Sequence, residues 1–208
     1  MALANYGNLK ASIETWSKRQ DVNDKLDDFI DLCETEIYSN AIEPLRIRSM
    51  VQLETSATST SVRTQSLPTG FLEPRRFDLT VSGERPVIDY VTPSAQVIRQ
   101  STGLPSNYTI TDQIEYDIIP DVAYVTNISY YGKLTALSSS NTTNSILTDY
   151  PNIYLYGSLM ALFQWADNTE ELAKYKNLFI EAISGANTTS ALGDRGVASQ
   201  KRRNGRNP

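Results

Sequence analysis

The chain contains no histidine among its 208 residues. That removes Ser-His-Asp and Cys-His catalysis and most zinc sites, which use imidazole as base or ligand. Cys33 is the only cysteine, so an intrachain disulfide is impossible. Its position on an apolar helical stripe marks it as a buried, inert thiol. No apolar run approaches the roughly 18 residues a bilayer span requires. The opening MALANYGNLK lacks the basic start and apolar run of a secretory signal, so a cytoplasmic start is expected. No glycine-rich phosphate loop of either common pattern occurs, which leaves nucleotide binding unsupported. Asp24, Asp27, Asp28 and Asp31 crowd one helix but lack calcium-loop spacing and its glycine. No metal or cofactor is expected.

What is present is a globular composition, 40% hydrophobic and 21% charged, with enough chain for one domain or a body with a subdomain. The net charge of −5 hides an asymmetry. Residues 193–208 carry Arg195, Lys201, Arg202, Arg203 and Arg206 against Asp194, a net +4 that leaves −9 on the rest. So acidic a body does not suit broad contact with nucleic-acid phosphates; attraction to a polyanion must come from the tail. Twelve tyrosines, including Tyr124, Tyr130 and Tyr131 in strand-like sequence, read as half-buried sheet, since base stacking would want interleaved cations. Paired-carboxylate chemistry is open to any acidic chain, but Glu14 and Asp28 sit on helix faces where solvated charge is the ordinary explanation.

Periodicity gives the architecture. Leu9, Ile13 and Trp16 share one face of a helix over residues 6–18. Leu26, Phe29, Ile30, Cys33 and Ile37 do the same over 22–40, with acids at its start where the helix dipole favours them. From Leu45 the period becomes two, and residues 45–54 and 62–67 read as a hairpin turning near 57–60. Further strands are expected at 75–81, 86–91, 108–111, 113–118 and 123–131, with Ser82-Gly83 as a turn and a short helix at 93–99. After a polar loop at 138–145, a helix begins near 149 with Pro151 in its first turn. Its apolar residues spread over more than one face, which makes Leu159 and Phe163 candidates for a subunit interface. A last helix spans 169–184, and beyond Gly185 the periodicity stops. The expected fold is therefore α+β. Residues 1–44 and 138–185 form a helical bundle from both chain ends, 45–137 a β-rich insertion, and 186–208 an extended basic tail.

The pieces YGNLKASIETWSKR, DDFIDLCETEI, LRIRSM, LPTGFLEPRRFDL, YVTP, GLPSNYTI, ISYYGKLTALS and TNSILTDYPNIYLYGSLMAL follow one another from Tyr6 to Leu162, within a likeness that covers roughly residues 6–183. In that order they resemble the adaptor proteins of the head-to-tail connector of tailed bacteriophages, especially the portal-proximal adaptors of short-tailed phages. Cys33 stands where alanine is common in them, and Glu43-Pro44 precedes the LRIR segment.

The resemblance implies a structural virion protein without catalytic work, assembled in the host cytoplasm. It implies a dodecameric ring below the portal that closes the DNA-filled head and offers a platform to the next tail or nozzle protein. Genomic DNA would pass through the channel without sequence readout, and no membrane is involved. Arg195, Lys201, Arg202, Arg203 and Arg206 are then the expected portal-docking cations, ordering against portal carboxylates; a solubilising tail and a DNA-contacting tail are the alternatives. Two other functions stay open: a tail accessory protein with peptidoglycan hydrolase activity, and a tail-tube or hub component.

Overall fold

A computed structural model describes the backbone of residues 3–203 and the side chains of residues 3–193. Its contacts divide the chain into two units. Unit 1 takes the described residues through Met50 and from Leu134 onward; unit 2 is Val51–Lys133.

Unit 1 is helical. Helix α1 (Tyr6–Ser17) starts where the Asn5 side chain accepts the Asn8 N–H at 2.9 Å, and it buries Leu9 and Ile13. A 3-10 turn at Asn23–Lys25 delays α2 to Leu26–Ser39, four residues later than periodicity alone places it. Its expected stripe, Leu26, Phe29, Ile30, Cys33 and Ile37, is buried throughout. A short helix α3 (Ser145–Asp149) begins at the last residue of the expected polar loop, where Asn144 caps it, accepting the Leu147 N–H at 2.9 Å. Helix α4 (Pro151–Trp165) opens on its proline and packs against α1, α2, α3 and the last helix, α5 (Thr169–Arg203). Those neighbours explain its apolar circumference.

Helices α2 and α5 both crowd Gly157 of α4. A Cβ there would collide with Cys33 Sγ and come within 2.9 Å of Phe179 Cε2. The Cys33 thiol is thus accommodated by the absence of a side chain opposite. Burial holds Cys33 protonated by pushing its pKa far up, and its S–H lies 3.7 Å from the Tyr154 carbonyl oxygen.

The alternation from Leu45 makes no hairpin. Leu45 and Ile47 are buried, but the segment reaches no partner strand and ends in a 3-10 turn at Arg48–Met50 within unit 1. Its backbone is held by helices: Leu45 N–H donates to Ile37 O at 2.9 Å, and Arg46 N–H to Asn187 Oδ1 at 2.7 Å. The same period of two serves a strap lying on helices, so the β-rich region begins six residues later than expected.

Unit 2 carries the strands β1 (Val51–Ala57), β2 (Thr64–Gln65), β3 (Phe71–Thr80), β4 (Asp89–Tyr90), β5 (Thr102–Gly103), β6 (Asn107–Ile110), β7 (Ile114–Tyr116), β8 (Ile119–Pro120) and β9 (Val125–Gly132). They form sheets ordered β1-β9-β3, β2-β7-β6-β4 and β5-β8. β1 pairs antiparallel with β9, from Val51↔Tyr131 to Ala57↔Val125, while β2 pairs with β7. Sequence neighbours of the expected hairpin therefore go to different sheets. Ser82 and Gly83, with φ of 50° and 86°, do form a two-residue turn closed by Val81 and Glu84. Residues 93–99 form a turn and irregular chain instead of a helix. The core of unit 2 joins Phe77, Leu79 and Ile128 to Tyr108, Tyr116 and Tyr130. Phe77 sits edge-on to Tyr108 with centroids 4.9 Å apart.

Candidate functional site

The cationic end of the chain is carried on helix. α5 runs to Arg203, so the backbone of residues 186–203 is helical where an extended tail was expected. Polar side chains on its inner face are the cause. Asn187 accepts the Arg46 N–H and donates to Glu43 Oε1 at 2.9 Å and Pro44 O at 3.0 Å, while Ser190 Oγ accepts the Arg48 N–H at 2.9 Å. Ala186 is buried beside them. These contacts satisfy the strap's open edge and continue the helix past Gly185, where an apolar stripe alone would stop it. Arg48 lies against Gly193, whose missing Cβ would stand 2.8 Å from Nη2. A shallow cavity of about 340 Å³ opens here between strap, α5 and the α3–α4 junction, lined by both Arg48 and Asp149.

The structure places Arg195, Lys201, Arg202 and Arg203 on the helical backbone of α5, with side chains outside the described residues; Arg206 lies wholly outside them. Leu159 and Phe163 are corrected. Both are buried within unit 1, Phe163 stacking on Tyr175 at 5.4 Å, so their side chains serve the chain's own core and not a neighbour. The large apolar side chains left exposed on unit 1 are Trp16, Leu32, Ile42, Trp165 and Leu192. Arg19 covers the Trp165 ring at 5.3 Å. Periodicity assigns Trp16 to the core stripe; it sits next to the last residue of α1, half exposed, with its ring 6.3 Å from that of Tyr156.

Buried carboxylates are engaged in structure. Glu34 accepts the Leu137 N–H at 2.8 Å and the Tyr154 O–H at 2.9 Å, and burial outweighs these bonds and raises its pKa. Asp78 accepts from Arg85 Nε at 2.7 Å, Arg76 Nε at 3.0 Å and Asn127 Nδ2 at 3.1 Å. Burial pushes its pKa up, but Arg85 and Arg76 overcome this and hold it below the usual carboxylate range. Asp117 accepts from Ser106 N–H and Oγ and from Asn107 N–H. Each of the three is used up in its own hydrogen bonds. Among the described residues no group of three or more acids, cysteines or histidines stands together as a metal site, and no helix is long and apolar enough to cross a membrane.

A helical body with an inserted β unit and a basic helical end thus accompanies internal acids that are engaged in hydrogen bonds within the chain. The model of the family described as SU10 adaptor protein matches residues 4–204, nearly the whole chain, and the chain belongs to that family. It is a phage adaptor, a structural component of the virion. No curated protein matches it.

Proposed function

We propose that this adaptor forms a closed ring, dodecameric as in the proteins it resembles, below the portal at the head–tail junction. The ring retains the packaged DNA and presents the next tail or nozzle protein with its platform. The helical end of α5 docks on the portal, and Arg195, Lys201, Arg202, Arg203 and Arg206 pair with portal carboxylates. DNA passes the acidic remainder of the chain without being gripped.

The observation that carries this reading is charge segregation on a helix. A net +4 lies in residues 193–208 against −9 elsewhere, and α5 supports most of it as one continuous element. A helical segment loses less conformational entropy on docking than an extended one, and multiplication around a ring compounds each weak contact. Removal of residues 195–208 leaves Gly193 and the Arg48 seat in place. The truncated chain should fold normally and attach to portal rings much more weakly. Equal attachment would overturn the docking role, and retention of bare DNA by the intact end alone would assign these cations to the channel.

A further inference from the structure

The segment from residue 82 to residue 104 is almost wholly exposed, and it carries aliphatic side chains among its polar ones. Val97 is 71% exposed, and Ile98 and Leu104 are also open to water. Val97 and Ile98 take part in no backbone–backbone hydrogen bond among the described residues. Their neighbour Arg99 anchors the segment, donating its N–H to Asp117 O at 2.8 Å and accepting from Arg63 Nη2 at 2.6 Å. An aliphatic pair is thus held at the surface by a fixed residue.

The two edges of the β1-β9-β3 sheet differ. β3 is protected by Pro74, by two register shifts, and by residues 86–88, which bond to Phe77 and Leu79. β1 has none of these. Its seven residues pair with β9 in unbroken register, no strand lies on its other side, and it contains neither proline nor lysine. Leu53 is 67% exposed, and Glu54 makes no hydrogen bond or ion pair among the described residues.

We infer that the β1 edge of one copy receives the Val97–Arg99 segment of a second copy. The inference rests on the ring reading and names the contact that closes it. Charge favours this occupant. The only charge on β1 is Glu54, while the incoming segment carries Arg99, whose side chain is 56% exposed and whose Nη1 lies 3.7 Å from Asp117 Oδ2. Run parallel, a single register sets Leu53 opposite Ile98 and Glu54 opposite Arg99. The contact joins two different patches, as a closed cyclic assembly of identical copies requires. The groove between β3 and residues 87–90 is a poorer receptor, because its rim mixes Arg75 and Arg76 with Glu73 and Asp89.

Engineered thiols read the contact directly, because Cys33 is buried and held protonated. Chains bearing Leu53→Cys and chains bearing Ile98→Cys are mixed and oxidised, alone and on portal rings. Disulfide-linked dimers from the mixture, with none from either chain by itself, are expected. Leu53→Glu should lower the assembled fraction about tenfold or more without shifting the melting temperature, as an exposed interface anchor does. Self-linked dimers of either variant, cross-linking of Ile98→Cys to Val87→Cys in its place, or full assembly of Leu53→Glu would overturn the inference. Rings that form without the 53–98 link would remove this contact and leave the ring standing; a chain that stays monomeric with and without portal would remove both.

Discussion

Glu34 in unit 1 and Asp78 in unit 2 are both almost fully buried, yet they are kept by opposite means. Glu34 is surrounded by neutral donors from α4 and the returning chain, and burial raises its pKa. Asp78 is clamped between two arginines, which lower its pKa against the same burial. Helices packed around α4 can place a Tyr hydroxyl and a backbone N–H in the interior. A small sheet unit brings cations in from its rim, where their guanidinium groups stay half in water. The difference teaches that unit 1 keeps its buried acid by packing neutral donors around it, and unit 2 keeps its own by charge.

The severest way to break the comparison is to remove packing partners. Truncation after Asn144 deletes α3, α4 and α5, and with them α4, the helix on which α1 and α2 both pack. The fragment's N-terminal helices should lose cooperative melting altogether, followed by circular dichroism at 222 nm, while an isolated Val51–Lys133 unit keeps a sheet signal. A truncated chain whose helices still melt cooperatively as a monomer would end the shared-bundle account.

Next in size is Gly157→Ala, which drives a methyl into Cys33 and Phe179 and should cost about 1–3 kcal/mol in urea unfolding. Cys33→Ala in the same chain should return much of that loss. If it returns none, crowding at this contact is not the cause.

Acid titration separates the units with smaller effects. Asp78→Asn should cost about 1–2 kcal/mol at neutral pH, limited because both arginines are half exposed. Asp78, with its folded pKa lowered, contributes stability above the unfolded value of about 3.9 that is lost as pH falls toward the folded value. Glu34, with its folded pKa raised, contributes stability below about 4.3 that is lost as pH rises through its folded value. Wild type minus Glu34→Gln and wild type minus Asp78→Asn should therefore slope in opposite directions across mildly to strongly acidic pH. Parallel slopes would erase the contrast. The smallest effect is a gain. Gly185→Ala meets open space within α5 and should stabilise the chain by up to about 1 kcal/mol, seen as a higher melting temperature.

The stripes of α1, α2 and α4 were legible because burial in a bundle imposes the period that sequence displays. The strap was half legible. Leu45 and Ile47 point inward as alternation says, but the partner is a set of side chains 140 residues away, and no pattern records that. β1 paired with β9 for the same reason, since ladder partners are chosen by unit closure rather than by adjacency. The length of α5 hid behind its composition: Asn187 and Ser190 look like helix enders until the strap they hold is seen. Leu159 and Phe163 were rightly read as apolar and wrongly as spare, because a wide apolar face does not say whether its neighbours are in the same chain.

The grip of α5 on the strap has a mechanical consequence. A step of three along the helix, from Asn187 to Ser190, matches a step of two along the strap, from Arg46 to Arg48, so helix and strap run side by side in one direction. At about 1.5 Å per residue, α5 is a rod of about 50 Å. A pull on its far end loads the bonds to Glu43, Pro44, Arg46 and Arg48 in shear, together and not in succession. Bonds loaded in parallel share the force and yield as a group, so tension applied at the basic end is spread along the whole strap from Glu43 to Arg48.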